Sequence, residues 1–428
     1  MMNNAIVKRY PLANSFPILL IACLILEQGY GLLPTPRYLF PVLVGMFFFF
    51  FKKRTSYSKP ISIFVVSCIL SIFSCMYFRY ESPVSIMAEY NIYFMIVFYF
   101  VLCKYNVSIE VLEKVLFWAF IIFCLCYLYQ VSVYPKLVFL NENNQYNETI
   151  DVLNRRIRMV GMSINSLGYF YTLNKILEKK MNYILPMLLS LICMLLFGFR
   201  TLLFFSAVFS IIMIIRFNGF SKKLVLWCAL GGLGAYLLYL TPIFQTVFEG
   251  MMERQESDQT FGNKDYIRYA TLFHYYGHHY KSTVEMFLGS GLCNRALRTS
   301  YSLEILRNES YGLHYYDWGL LGISWMTGVL SLIGMLWWSL KAAFAKLPKK
   351  YLYLSVWFGY LLTCAFTSAE FVRQGCFLIQ AICLYLIYKI SLYFFKALLF
   401  ISFSSLVRAN PIYLQVWSLR RIHIHIRL

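Results

Sequence analysis

Apolar runs close to 20 residues long recur along almost the whole chain, separated by short polar segments. A helix needs about 20 apolar residues to cross the roughly 30 Å of hydrocarbon in a bilayer. Inside lipid every backbone polar group has to be satisfied within the protein, and a helix does this within one segment. The sequence therefore predicts an all-α fold, that of a polytopic membrane protein.

Composition agrees with that fold and argues against a soluble protein. The 428-residue chain is 60% hydrophobic and 14% charged, whereas soluble domains carry about 25% charged residues. No long hydrophilic linker divides the chain, so we expect residues 1–428 to form a single integral membrane domain. Twelve transmembrane helices are predicted, at about 12–30, 35–51, 60–78, 86–103, 114–133, 160–177, 183–199, 201–217, 224–240, 317–340, 351–369 and 374–395.

Lysine-rich segments follow every second predicted span. An excess of lysine and arginine marks cytoplasmic loops, and twelve spans place both termini on the same side, so both termini are predicted to be cytoplasmic. The same rule accounts for the formal net charge of +20, and we expect no nucleic acid partner. The basic residues of these segments are Lys8, Arg9, Lys52, Lys53, Arg54, Lys59, Lys104, Lys114, Lys179, Lys180, Lys222, Lys223, Lys341, Lys346, Lys349 and Lys350.

One segment, 241–316, is too polar to cross a bilayer. It holds four of the six histidines, seven Lys or Arg and eight Asp or Glu, and the alternation of spans places it on the periplasmic or extracellular face. Asn263 is predicted to cap a helix that runs to about Tyr276, with Lys264 and Arg268 one turn apart. Charged side chains this dense beside a membrane favour chemistry on a polar substrate.

Arginine and lysine are distributed unequally across the predicted topology. The inner side holds 17 Lys and 7 Arg, and the outer side holds 3 Lys and 12 Arg. A planar guanidinium grips two phosphate oxygens at once, so an outer face that keeps its arginines favours phosphate or pyrophosphate binding. The alternative is that these arginines pair with loop carboxylates or lipid headgroups.

Candidate general bases lie where the large loop returns to the membrane. Glu309 and His314 precede the tenth predicted span, and a carboxylate or an imidazole can accept the proton of a sugar hydroxyl. The alternative is that they only mark the water boundary. His274 and His278 are four residues apart, but a catalytic zinc needs a third ligand, and no metal site is predicted.

Four motifs, in order along residues 155–325, resemble those of the O-antigen polymerase and O-antigen ligase superfamily of bacterial envelope proteins. Arg158-Met-Val-Gly161-Met-Ser-Ile-Asn165-Ser-Leu-Gly168 resembles R-x-x-G-x-x-x-N-x-x-G, and Phe199-Arg200-Thr201-Leu202-Leu203 resembles S-R-T-x-L. Gly262-Asn-Lys264-Asp-Tyr-Ile-Arg268-Tyr-Ala-Thr-Leu, followed by Phe287-Leu-Gly289-Ser-Gly291, is similar to G-R…W-x-A-x-L…L-x-G-x-G. Asn308-Glu309-Ser310-Tyr311 with Gly319-Leu-Leu-Gly322 resembles H-N-S-Y-L…G-L-L-G.

The resemblance implies a fold like the C-type glycosyltransferases and a reaction without metal or cofactor. It implies an enzyme of the bacterial inner (plasma) membrane that transfers glycan from undecaprenyl pyrophosphate to an incoming lipid-linked repeat unit on the outer leaflet. Its partners would be lipid-linked oligosaccharides and membrane lipid, with a flippase and a chain-length regulator in the same pathway. Glu309, His314 and Arg268 are the catalytic candidates; the pyrophosphate-binding candidates are Arg158, Arg200, Arg268 and Lys264.

One departure from the family pattern bears on the branch. The ligase motif begins with histidine where this chain has Asn308, followed by Glu309, and His314 is out of register; this favours the polymerase branch. Two alternatives stay open: the ligase that moves finished glycan to lipid A core, and a flippase or transporter of the lipid-linked oligosaccharide. Transporters tend to carry ionisable residues at the membrane midplane, whereas Glu89 and Asp317 lie near span ends.

Overall fold

The computed structural model describes residues 18–26, 39–51, 55–134, 161–219, 267–366 and 368–409, with isolated positions within 136–159 and 232–249. The regular secondary structure of the described residues is helical apart from one antiparallel pair of two-residue strands, β1 Ile150–Asp151 and β2 Arg156–Ile157. After helical residues at 18–26, the α-helices are α1 Leu39–Phe50, α2 Ser58–Arg79, α3 Pro83–Phe94, α4 Phe98–Tyr105, α5 Ile109–Ser132, α6 Met162–Leu177, α7 Ile184–Phe197, α8 Arg200–Asn218, α9 Ile267–His274, α10 Thr283–Leu288, α11 Ser300–Ser310, α12 Leu320–Thr327, α13 Val329–Ala343, α14 Leu352–Cys364 and α15 Cys376–Ala409.

The chain is a helical membrane protein. Within the described residues, five helical segments are long and apolar enough to cross a bilayer: Ser58–Arg79, Pro83–Tyr105, Ile109–Ser132, Arg200–Asn218 and Cys376–Phe394. They coincide with the predicted spans 60–78, 86–103, 114–133, 201–217 and 374–395. Three shorter apolar helices lie at Leu39–Phe50, Met181–Phe197 and Val329–Ala343. The predicted span at 224–240 lies almost wholly outside the described residues, and the total of twelve stays a prediction.

The predicted span 317–340 is wrong as a single helix, because the chain breaks at Gly328 between α12 and α13. Gly328 has a φ of 91°, a conformation open to glycine and costly for other residues. The break releases the carbonyl groups of Trp325 and Met326 from the helix. The backbone N–H groups of Ser290 and Gly291 donate to them at 3.1 and 2.8 Å. The large loop therefore provides hydrogen-bond donors for the carbonyl groups that the break exposes.

The weakest predicted span, 160–177, is shielded by its neighbours. α6 carries Asn165, Ser166 and Asn174, all of them buried. Asn165 Nδ2 donates to the backbone carbonyl of Ser190 in α7 at 3.2 Å, and the indole of Trp357 donates to Ser166 Oγ at 3.0 Å. Asn165 and Ser166 are therefore hydrogen-bonded to neighbouring helices, which lowers the cost of burying them in the bundle.

Lysine side chains group at one end of the bundle, which we call the lysine end. Lys341 Nζ donates to the backbone carbonyl of Ser56 at 2.7 Å, just before α2 begins. Lys389 Nζ donates to two backbone carbonyls in the connection between α4 and α5, at 3.0 and 2.6 Å. α14 begins beside Lys350, whose carbonyl accepts a hydrogen bond from Asn174 near the end of α6. Lys341 and Lys350, predicted for one face, therefore share one end with Lys389; the compartment that it faces stays a prediction.

The opposite end of the bundle, the arginine end, carries most of the described arginines. α2 has 22 residues, about 33 Å of helix, and it runs from the lysine end to Arg79. The guanidinium of Arg373 lies 5.8 Å from the ring of Phe197, where α7 ends, and 5.4 Å from that of Phe199, just before α8 begins. The predicted tight turn at Arg200 is thus present, at the same end as Arg373.

Candidate functional site

The described part of the large loop folds back onto the arginine end as a buried re-entrant segment. Residues Gly289–Leu292 are buried, between the broken α12–α13 helix on one side and α2 on the other. The Leu292 N–H donates to the hydroxyl of Tyr90 in α3 at 3.4 Å, and that hydroxyl lies 2.6 Å from Ser71 Oγ in α2. Non-helical backbone is tolerated at membrane depth only where protein surrounds it, and this segment meets that condition.

Arg79 fixes the loop to the end of α2. Its Nε donates to Glu285 Oε1 at 2.5 Å, its Nη1 to Glu304 Oε2 at 3.0 Å, and its Nη2 to the backbone carbonyl of His279. Its guanidinium also lies 4.8 Å from the ring centre of Tyr301. We call these five residues the Arg79 network. A buried charge needs partners of this kind, because an unpaired one is strongly destabilising.

One group of three residues is arranged like a nucleophilic triad, but a substrate cannot reach it. The group consists of Ser290, His279 and Glu304. His279 Nε2 lies 2.9 Å from Ser290 Oγ, and its Nδ1 lies 3.7 Å from Glu304 Oε1. Ser290 is fully buried, so no substrate reaches its hydroxyl. Burial, with Arg79 and His274 nearby, holds the pKa of His279 well below its ordinary value. The contact between His279 and Ser290 is therefore a buried hydrogen bond within the loop, and Glu304 serves as an ion-pair partner of Arg79.

A second group of polar residues is half-buried at the same end. Arg295 forms an ion pair with Glu309, and their side chains are 19% and 11% exposed. The guanidinium of Arg295 lies 5.9 Å from the ring centre of Tyr316, whose hydroxyl lies 2.7 Å from His314 Nδ1. α3 adds Glu89, which interacts electrostatically with Arg295. We call these five residues the Arg295 cluster.

The thiol beside this cluster is not activated. Burial is the main cause that raises the pKa of Cys293 to about 12; Glu89 also raises it, and Arg295 opposes the shift. The thiolate is the form that attacks carbon or binds metal, so Cys293 stays a protonated thiol at neutral pH. The groups of the cluster that can take part in a reaction are therefore its carboxylates, its imidazole and its guanidinium.

A third basic position lies at the mouth of α7 and α8. Besides its two aromatic neighbours, Arg373 has its Nε 3.7 Å from Glu370 Oε2, and the two side chains are 20% and 2% exposed. Burial raises the pKa of Glu370 to about 7, with the nearby Arg373 opposing the shift. The 3₁₀ turn that holds Glu370, Ala369–Phe371, packs against the turn Tyr315–Trp318, so this pair and the Arg295 cluster lie on neighbouring elements.

The structure brings some of the predicted site residues together and leaves others apart. Glu309 and His314 share the Arg295 cluster, whereas Arg268 is on α9, where its backbone carbonyl accepts the indole N–H of Trp318 at 3.0 Å. Arg200 is the first residue of α8. The remaining two pyrophosphate candidates, Arg158 and Lys264, lie outside the described residues.

The histidines of the loop do not assemble with acids or cysteines into a metal site within the described residues. The helical segment extends beyond the predicted end at about Tyr276. The α-helix α9 ends at His274, and a π turn over Tyr275–His279 follows it directly. That turn directs Tyr275 inward, where its ring stacks on Trp325 at 4.7 Å. His279 is committed to Ser290, as described above.

Sequence reasoning missed three residues that organise this end: Arg79, Glu89 and Arg295. Arg79 and Arg295 belong to the arginine surplus of the outer side, but no motif marks either of them. Glu89 lies more than 200 positions before Arg295, so only the fold shows that they interact. A scan of protein-family models finds no match to this chain, and searches of curated proteins and of solved structures find none either.

Proposed function

We propose that the chain is a lipid-linked glycan polymerase of the bacterial inner membrane. It would move glycan held on undecaprenyl pyrophosphate to the non-reducing-end sugar of an incoming lipid-linked repeat unit, making an O-antigen, a capsule or another exopolysaccharide. The observation that carries the proposal is the Arg295 cluster. It combines a half-buried guanidinium, two carboxylates and an imidazole at the arginine end of the bundle.

The chemistry requires a proton acceptor and a stabilised leaving group. The acceptor hydroxyl attacks the anomeric carbon, the bond from that carbon to the pyrophosphate oxygen breaks, and the pyrophosphate leaves with the bonding electrons. The hydroxyl proton passes to Glu309 or His314, the two candidate bases. Guanidinium groups, among them Arg200 and Arg268, offset the charge that develops on the pyrophosphate.

The contacts within the cluster suit these roles. Arg295 holds the carboxylate of Glu309 in place through the ion pair, and Tyr316 orients the imidazole of His314 through Nδ1. Fixed geometry of this kind lowers the barrier, because the reacting groups need not be ordered during the reaction. The aromatic rings of Tyr315 and Tyr316, centred 5.4 Å apart, offer surfaces on which a sugar ring can pack.

The proposed architecture follows from the sequence prediction and the sidedness of the described bundle. It has about twelve spans as in the C-type glycosyltransferases, the large loop 241–316 outside, and both termini in the cytoplasm. The grouping of lysines at one end of the bundle supports it, since an excess of Lys and Arg marks the cytoplasmic side.

A transporter of lipid-linked oligosaccharide is the second candidate, favoured by the broken helix at Gly328. Discontinuous helices at membrane depth form the substrate sites of many transporters. Here, however, the carbonyl groups freed by the break are occupied by Ser290 and Gly291, so they are not offered to a substrate. For this reason transport is less well supported than polymerisation.

Deletion of the gene in its own host separates the candidates. Loss of a polymerase leaves single repeat units on the lipid carrier, accessible from outside to an impermeant lectin or to periodate. If a transporter is lost, the same units stay inaccessible on the inner leaflet. Loss of a ligase leaves long chains on the carrier, and either of the last two outcomes would overturn the proposal.

A further inference from the structure

Glu370 is a buried carboxyl group that the proposed reaction does not use. Its side chain is 2% exposed, and within the described part of the chain neither oxygen accepts a hydrogen bond of full geometry. Its one charged neighbour among the described residues is Arg373, with Nε at 3.7 Å. This separation is longer than a hydrogen bond, so the pair is loose although the carboxyl group is almost fully desolvated.

The groups that face Glu370 from other elements are neutral. The backbone N–H of Ser163 in α6 approaches it. Tyr360 and Cys364 face it from α14, and Cys376 faces it from α15. Arg373 is therefore the one described group that stabilises the ionised form by charge. If an anion replaced the carboxylate of Glu370 as the partner of Arg373, that carboxylate would lie in an apolar pocket without a counter-charge. Its protonated form is favoured there.

Arg373 is held in a position that suits an anion. The centres of the rings of Phe197 and Phe199 lie 5.8 and 5.4 Å from its guanidinium carbon; contacts of this kind hold a guanidinium through its face and do not use its N–H donors. Within the described residues its terminal nitrogens donate no hydrogen bond, and its side chain is 20% exposed. Arg200 follows Phe199 directly, so a second guanidinium begins at the same mouth.

We propose that Arg373, with Arg200 beside it, binds a diphosphate and that Glu370 takes up one proton when the diphosphate binds. This rests on the proposed function for the identity of the ligand, the diphosphate of a polyprenyl carrier. No covalent bond changes: the anion replaces the carboxylate as partner of Arg373, and the proton comes from solvent. The Arg295 cluster suits the acceptor instead, because it sets two carboxylates against one guanidinium.

The proton step makes binding depend on pH in a defined direction. Burial raises the pKa of Glu370 to about 7, so near neutrality the group is divided between its two forms. Above this value the carboxylate competes with the anion for Arg373; below it the carboxyl is neutral and Arg373 is released. Affinity for the diphosphate should therefore fall as the pH rises through about 7. The last ionisation of a prenyl pyrophosphate acts in the opposite direction, so a variant without the carboxyl is needed as reference.

The test measures binding of geranylgeranyl pyrophosphate to the purified full chain in lipid nanodiscs at pH 6 and pH 8. Arg373→Ala should weaken binding at least tenfold, and Arg373→Lys should restore part of it because a lysine keeps the charge but not the fork. Arg307→Ala removes the same charge from an exposed position at the arginine end and should have no effect. Equal affinities for Arg373→Ala and Arg307→Ala would overturn the site.

Glu370→Gln tests the proton step and serves as the reference variant. It mimics the neutral carboxyl, so it should bind more tightly than the natural protein at pH 8 and equally at pH 6. Calorimetry in buffers of different ionisation enthalpy should show proton uptake near pH 7 in the natural protein and less in the variant. Identical pH profiles and identical proton uptake in the two proteins would overturn the coupling.

Two further arms identify the source of the diphosphate and separate this proposal from the function. Inorganic pyrophosphate should compete at least tenfold more weakly than the prenyl compound; equal competition would overturn the lipid carrier as ligand. Binding that depends on Arg373 in a protein that makes no polymer supports the site and removes only the proposed function. Polymer formation by the natural protein, with unchanged binding in Arg373→Ala, leaves the function and overturns the site.

Discussion

Arg79 and Glu285 are 206 positions apart in the sequence, yet Nε of Arg79 donates to Oε1 of Glu285 at 2.5 Å. The carboxylate of Glu285 also accepts the backbone N–H of Lys281 at 2.5 Å, so one buried acid joins the loop to itself and to α2. Because Cys293 and Arg295 follow the segment that this contact anchors, the position of the candidate site depends on a pair that is not part of the Arg295 cluster.

In the Arg79 network, substitution of a buried carboxylate should lower the stability of the protein more than substitution of an exposed one. Glu285→Gln leaves a buried guanidinium short of a charge, and loss of one partner of such a pair costs about 3–5 kcal/mol. The side chain of Glu304 is 41% exposed, so Glu304→Gln should cost much less, within about 1 kcal/mol for an exposed pair. Thermal unfolding in detergent should rank the two variants in this order. Equal midpoints would show that the buried pair does not anchor the loop.

Gly328 should not tolerate alanine. With a φ of 91°, a side chain there is strained by about 1–3 kcal/mol, and a Cβ would also press on the backbone carbonyl of Leu288. Gly328→Ala should therefore lower the unfolding midpoint and the amount of folded protein. Gly45→Ala is the matched control, because a Cβ at Gly45 meets no atom within 4 Å and alanine favours a helix interior by about 1 kcal/mol. Equal stability of the two variants would contradict the tight packing at the break.

Stability should fall in mild acid because of His279. Its pKa is lowered in the folded protein, whereas an unfolded histidine titrates near 6.5. As the pH falls below about 6.5 the unfolded chain takes up a proton that folded His279 does not, so the free energy of unfolding decreases, by up to about 1.4 kcal/mol per pH unit. Above about pH 7.5 this contribution is constant. His279→Gln should flatten the dependence measured between pH 5 and 8, while the exposed His278→Gln should keep it; two equal slopes would assign the effect elsewhere.

Sidedness can be checked with single cysteines. In a background without the twelve native cysteines, Arg307→Cys at the arginine end should react with an impermeant maleimide applied from outside. Lys349→Cys at the lysine end should react only after the membrane is opened. The reverse pattern would place the arginine end in the cytoplasm and remove the outer-leaflet reaction.

The sequence was sufficient for features that depend on local pattern. Apolar runs predicted α2, α5 and α8 within a few residues, since a span must be long and apolar whatever it packs against. It also singled out Glu309 and His314, which the structure brings into one cluster with Arg295; their position at the membrane edge stays a prediction. The break at Gly328 could not be predicted, because a glycine in an apolar run is common in membrane helices. Glu89 and Arg79 could not be assigned either, since their partners come from a loop some 200 positions away.

The catalytic residues are the last and most demanding prediction. Glu309→Gln and His314→Ala should each reduce glycan polymerisation, and a general base contributes about 10²–10⁴-fold. Because Glu309 also holds Arg295, Glu309→Gln should disturb two groups and have the larger effect, whereas Arg295→Lys, which keeps the charge, should retain more activity than Arg295→Ala. Glu110→Gln, an exposed carboxylate at the lysine end, is the control and should leave long chains intact. The measurement is the glycan ladder at matched protein level, with the lipid-linked single repeat unit quantified beside it.

Full ladders in both base variants would show that neither Glu309 nor His314 is the general base. Glu89 would then be the next candidate, because it is the other carboxylate of the cluster. Loss of chains only in Arg200→Ala and Arg268→Ala would mean that charge on the leaving pyrophosphate, and not proton removal, limits the reaction.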